Sequence, residues 1–193
     1  MKKILDYFSI EGAVGGNQEW FKNVVMYIGG CAAATACDCC IYLALRRGMT
    51  HLYPYDVHAL TKQDYIDFSM KMKPYLRPRV NGVNKLWMFT EGFGKYLKDI
   101  GEDGLKMKEL SGTEELRTAE CFIRDQIDSG YPVPYLMLRH RKTYYKDFVW
   151  HWFCATAMRN GMTDCGLRSR HTASHIHFSS KICGIQAMRR KAV

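Results

Sequence analysis

A glycine pair and a cysteine, Gly29-Gly30-Cys31, open a run of small and apolar residues that continues through Leu45, and a histidine between two tryptophans, Trp150-His151-Trp152, follows far downstream. A thiol nucleophile and its base require these residue types. The first run predicts a loop that sets Cys31 on the first turn of a buried helix. Unpaired backbone N–H groups and the positive end of the helix dipole favour a thiolate there, which lowers the thiol pKa. The glycines let a carbonyl group approach the backbone closely, and the same N–H groups could form an oxyanion hole. The same run also reads as a tightly packed small-residue helix with Cys31 as one more buried thiol. His151 lies in the most apolar strand of the chain, where a satisfied core histidine is the ordinary alternative to a base. A helix-borne Cys early in the chain and a strand-borne His late in it are nonetheless a common way to separate a nucleophile and base that meet in space.

The elements that must position these two residues follow from local signals. Asn17 to Tyr27 is a mixed apolar stretch leading into the glycines, expected to pack beside the cysteine helix, which Arg46-Arg47-Gly48 closes. Thr61-Lys62-Gln63-Asp64 reads as a capped helix start, with Tyr65, Phe68, Met72 and Tyr75 at helical spacing and Pro74 and Pro78 as its end. Trp87, Phe89, Phe93, Tyr96 and Leu97 make a further apolar face ended by Gly101 and Gly104. Thr113 to Ser129 makes another, with Gly130 as its stop. Then the period changes. Tyr131 to Leu138 reads as a strand entered through prolines, Arg139 to Lys146 as a polar turn, and Phe148 to Ala155 as a second strand, together an antiparallel hairpin. Tyr53, Tyr55, Tyr65, Trp87 and Tyr96 could line a peptide groove, although such residues are more often core.

Composition narrows the function classes. A chain of 193 residues that is 47% hydrophobic can bury a substantial core as one domain. No stretch reaches membrane-spanning length, and Asp6 and Glu11 interrupt the apolar start before a signal peptide could form. The net charge of +9 suggests nucleic acid until it is divided along the chain: six lysines or arginines against one aspartate put +5 of it between Asp164 and Val193. The body has no basic stripe with interleaved aromatics, so no nucleic-acid partner is expected. Of the eight cysteines, Cys37, Cys39 and Cys40 crowd one helix and cannot pair with one another without distortion, which predicts reduced thiols and a cytoplasmic protein. Neither those cysteines nor His171, His175 and His177 show the paired spacing of a zinc site, so no metal or other cofactor is expected.

Three segments together resemble a family. Gly30 to Ala36 opening an apolar helix, Gly130 to Leu136, and Trp150-His151-Trp152-Phe153 resemble, in order and spacing over roughly residues 17–158, the papain-like cysteine peptidases of the bacterial bacteriocin-processing, C39-like type. The resemblance implies a papain-like α+β domain over residues 1–158, with N-terminal helices packed on a C-terminal antiparallel sheet. It implies Cys31 as nucleophile and His151 as the base, acting on a peptide or protein substrate. The alternative is a catalytically inactive domain of the same fold that binds a peptide or protein partner. The family carries a Gln a few residues before its nucleophile; here Val25 stands six residues back, and Gln18 and Asn23 are the nearest amides. For the residue that orients the imidazole, Asn160 and Asp164 are the nearby candidates. Residues 159–193 read as an atypical basic tail without helical or strand period, expected to be poorly packed. A slip of the coding frame between Cys154 and Thr163 would account for that change, since Lys181 to Val193 shifted by one base can encode a strand-and-turn ending.

Overall fold

The computed structural model describes residues 3–139 and 149–158, together with the strands at 166–169, 172–175 and 184–190. The chain is an α+β protein. Its short N-terminal strands β1 (Lys3–Ile4), β2 (Ser9–Ile10) and β3 (Ala13–Val14) precede the helices α1 (Val24–Gly29), α2 (Cys31–Arg47), α3 (Lys62–Met72) and α4 (Leu86–Asp99). Strand β4 (Leu105–Ser111), helix α5 (Leu116–Asp128), and strands β5 (Val133–Met137), β6 (His151–Ala155), β7 (Ala157–Met158), β8 (Gly166–Ser169), β9 (Thr172–His175) and β10 (Gly184–Arg190) follow. Among the described residues no helix is long and apolar enough to cross a membrane.

Each helix end has a local cause. Asn23 caps α1 by accepting the Met26 N–H at 3.2 Å, and Thr61 caps α3 by accepting the Asp64 N–H at 3.1 Å, as the sequence signal for that helix requires. Between α1 and α2 the chain barely leaves helical geometry: Gly30 N–H donates to Met26 O at 2.8 Å, and Ala34 N–H to Gly30 O at 2.9 Å. A side chain at position 30 would put its Cβ 2.4 Å from Met26 O, so only glycine fits this junction. At the far end of α2, Gly48 takes the left-handed conformation (φ 66°) that ends a helix, with Arg46 and Arg47 in the last turn.

Helix α2 is the centre of the core. Eleven of its 17 residues are buried, among them Ala32, Ala33, Ala36, Cys37, Cys39, Cys40, Ile41 and Leu43. The small side chains of its first half let neighbouring elements approach the helix closely, and it packs against β6 on one side and α3 on another. The principal sheet has the strand order β4-β10-β5-β6 and is antiparallel throughout. Strands β5 and β6 form the expected hairpin arms, in a register running from Val133↔Ala155 to Met137↔His151. Every residue of β5 is buried.

Two features of this sheet depart from the sequence reading. The segment Leu105 to Ser111, for which no element is expected, is an edge strand with a largely exposed face. Its partner is β10, paired with it from Gly184↔Ser111 to Arg190↔Leu105. The C-terminal segment, expected to lack strand period, thus supplies a strand between β4 and β5, because backbone pairing recruits a sequence whose side-chain pattern alone does not announce it. The polar turn expected at Arg139–Lys146 and the candidates Asn160 and Asp164 lie outside the described residues, apart from Arg139 itself.

A second buried group ties the N-terminal segment to α2. The Asp38 carboxylate accepts hydrogen bonds from Tyr7 OH (2.8 Å), Tyr65 OH (2.9 Å) and the Gly16 N–H (3.2 Å). A Cβ on residue 16 would lie 1.8 Å from the Tyr65 ring, so glycine is required for this approach. Burial outweighs the three donors and pushes the Asp38 carboxyl up to about 6. The folded state therefore holds this proton more tightly than the unfolded chain. Its contribution to stability is complete below the ordinary aspartate range near pH 4 and is lost as pH rises through about 6, by about 3 kcal/mol in all. In urea titrations the stability of the wild type relative to Asp38→Asn is expected to fall by that amount between pH 4 and pH 7.

Candidate active site

Cys31 is the first residue of α2, and its half-buried thiol faces the strand that carries the histidine. The backbone N–H groups of Trp152, Ala32 and Cys31 lie close enough to the sulfur to pull the thiol pKa down. Trp152 directly follows His151, so the N-terminus of α2 lies near the backbone at the start of β6. Cys31 and His151 are 120 residues apart in the chain.

The position of that N–H follows from how β6 is held. Among the described strands β6 forms an edge of the principal sheet, with β5 as its only partner there. Along one side of an edge strand, alternate backbone groups have no ladder partner, and the Trp152 N–H lies near the Cys31 thiol. The Trp152 ring has anchors of its own. Its indole N–H donates to Val83 O, and the ring stacks on Phe89 with centroids 4.4 Å apart. Immediately before His151, Trp150 has φ 62°. That conformation is costly for a bulky residue, and it turns the chain sharply into β6. The Trp150 side chain is 54% exposed.

The electrostatics correct one expectation. A helix N-terminus lowers a thiol pKa, yet here burial pushes the Cys31 thiol up and outweighs the donation from Trp152, Ala32 and Cys31. Burial also lowers the His151 imidazole to about 4. Both changes have one cause: each group sits where its charged form is poorly solvated. At neutral pH the resting pair is accordingly a neutral thiol and a neutral imidazole rather than a thiolate–imidazolium pair.

The two amides nearest in sequence are committed elsewhere. Gln18 donates its side-chain N–H to Tyr27 O at 2.7 Å, and the Asn23 side-chain oxygen caps α1 and accepts from Lys73 Nζ at 3.3 Å. The backbone N–H groups at the start of α2 are the donors next to Cys31 in the chain. Trp152 is the position beside Cys31 that sequence reasoning missed. It reads as a core aromatic, and its backbone contribution leaves no mark on residue type. Of the suggested groove aromatics, Tyr53, Tyr65 and Tyr96 are buried in the core and Trp87 is half exposed. Among the described residues no group of three or more His, Cys, Asp or Glu side chains could hold a metal ion.

No family, no curated protein and no solved structure matches the chain.

A neutral resting pair has a direct kinetic signature. Iodoacetamide labelling of Cys31, read by peptide mass spectrometry, is expected to be slow at pH 6 and to rise about tenfold per pH unit up to the thiol pKa, as thiolate does.

Proposed function

We propose that the chain is a papain-like thiol hydrolase that cleaves a peptide or amide bond, with Cys31 as nucleophile and His151 as general base. The single observation that supports this reading is the approach of the Trp152 backbone N–H, on the strand that His151 opens, to the Cys31 sulfur at the N-terminus of α2. A buried structural cysteine needs no such neighbourhood.

The neutral pair defines the mechanism. As the Cys31 sulfur attacks the substrate carbonyl carbon, its proton passes to the His151 imidazole, so that little charge separates before the bond to carbon forms. The carbonyl oxygen becomes an oxyanion, which the N–H groups at the start of α2 and the helix dipole stabilise. The imidazolium then protonates the leaving amine, and a thioester on Cys31 remains. Water, deprotonated by His151, attacks the thioester carbon, the sulfur leaves, and the imidazolium returns the proton to it.

A second reading has its own support. The raised thiol and lowered imidazole also suit an inactive domain of the same kind that holds a peptide or protein in the groove and cuts nothing.

Turnover of a peptide library by purified protein decides between them. Hydrolysis should be abolished by Cys31→Ala and fall by about 10²–10⁴ in His151→Ala. His151 must be neutral to act as base, so kcat/KM should hold down to about pH 5 and fall as the imidazole protonates near pH 4. Cleavage that persists in Cys31→Ala, or peptide retention without cleavage by the wild type, would contradict the hydrolase.

A further inference from the structure

Helix α2 and strand β6 meet at a second sulfur, eight residues along the helix from Cys31. Cys39 Sγ and Cys154 Sγ lie 3.3 Å apart in the core, on residues 115 positions apart in the chain. Their side chains are 0% and 6% exposed. The Cys154 thiol also lies 3.6 Å from Thr35 O, one helical turn before Cys39, and donates to it. The two other cysteines of this stretch, Cys37 and Cys40, are buried on the same helix without such a contact to Cys154.

We propose that Cys39 and Cys154 are a redox pair whose oxidation by a peroxide bolts α2 to β6. Closing the gap to a disulfide bond length of about 2.05 Å moves the sulfurs by little more than an ångström, within reach of side-chain rotation and a small shift of an edge strand. One thiol gives up its proton and, as thiolate, attacks a peroxide oxygen; the O–O bond breaks, a sulfenic acid forms, and the departing hydroxide takes that proton and leaves as water. The second thiol attacks that sulfur, the S–O bond breaks, and the departing hydroxide leaves as water with the second thiol's proton. Two electrons pass from the two thiols to the peroxide.

The surroundings set the rate and the lifetime. Burial, the neighbouring Cys154 sulfur and the Asp38 carboxyl all hold the Cys39 thiol protonated, so oxidation proceeds through local opening of the edge strand rather than from the closed state. Tyr7, hydrogen-bonded to Asp38, closes the same cluster from the N-terminal segment. The same enclosure keeps a bulky thiol reductant from the finished bond, which persists once made. The bridge spans the packing contact on which the core is built, and a loop this long makes a disulfide strongly stabilising. The pair acts independently of any chemistry at Cys31.

The test uses the native protein treated with hydrogen peroxide, quenched, alkylated in denaturant and digested without reductant. The expected product is monomeric protein lighter by two hydrogens, with the Cys154 peptide joined to the α2 peptide and fragmentation assigning the link to Cys39. Cys39→Ala and Cys154→Ala should each lose it. The oxidised protein should melt about 10 °C higher than the reduced protein. Recovery of both thiols fully alkylated, linkage of Cys154 to Cys37 or Cys40 in comparable yield, a link that forms only in urea, or an unchanged melting temperature in the linked protein would each overturn the proposal. The wild type alone decides the outcome if either alanine variant fails to fold.

Discussion

The burial of α2 between β6 and α3 is the constraint from which the rest of the structure follows. A helix enclosed on most sides needs small residues where neighbours come close, and Ala32, Ala33 and Ala36 supply them. It also needs a partner for every polar atom it carries inward. Asp38 finds three donors, Thr35 O receives the Cys154 thiol, and Ala34 O receives the Tyr65 hydroxyl at 3.2 Å. The N-terminal segment and α3 are held against the helix through these bonds as well as by apolar contact.

The same enclosure sets the chemistry at the end of the helix. An exposed helix N-terminus would make Cys31 acidic. At the mouth of a packed core, the cost of placing charge in a poorly solvated site exceeds what a few N–H donors return. His151 is subject to the same cost, so two groups suited to exchanging a proton rest in their neutral forms.

Much of this architecture is legible in the residues. The glycine pair and Arg46-Arg47-Gly48 bracket α2, Thr61 marks the start of α3, and the aromatic face of α4, the Gly130 stop of α5 and the two apolar arms β5 and β6 are where their patterns indicate. The pairing of β4 with β10 is not, because the partners are more than seventy residues apart and β4 is amphipathic and mostly exposed, so it looks like a polar loop. Asp38 did leave a sign: a lone acid within an apolar helix must find buried donors. Nothing in the sequence says which tyrosines those are. The meeting of Cys39 with Cys154 and the Trp152 N–H at Cys31 are products of packing geometry alone, as is the direction of the thiol and imidazole shifts, since burial is a property of the folded chain. The sequence order of Cys31 and His151 suggests that they meet; their protonation states can be read only once the fold is known.

Amide hydrogen exchange at Trp152, followed by NMR in the wild type and in Cys31→Ala, tests most directly whether α2 and β6 meet at the Cys31 sulfur. That contact predicts a Trp152 N–H that is protected in the folded protein and exchanges at least tenfold faster once the sulfur is removed, while the amides of Tyr135 and Phe153 in the β5–β6 ladder keep their rates. Equal protection of Trp152 in both proteins would mean that the thiol does not receive this N–H, and the candidate site would lose the contact on which it is built.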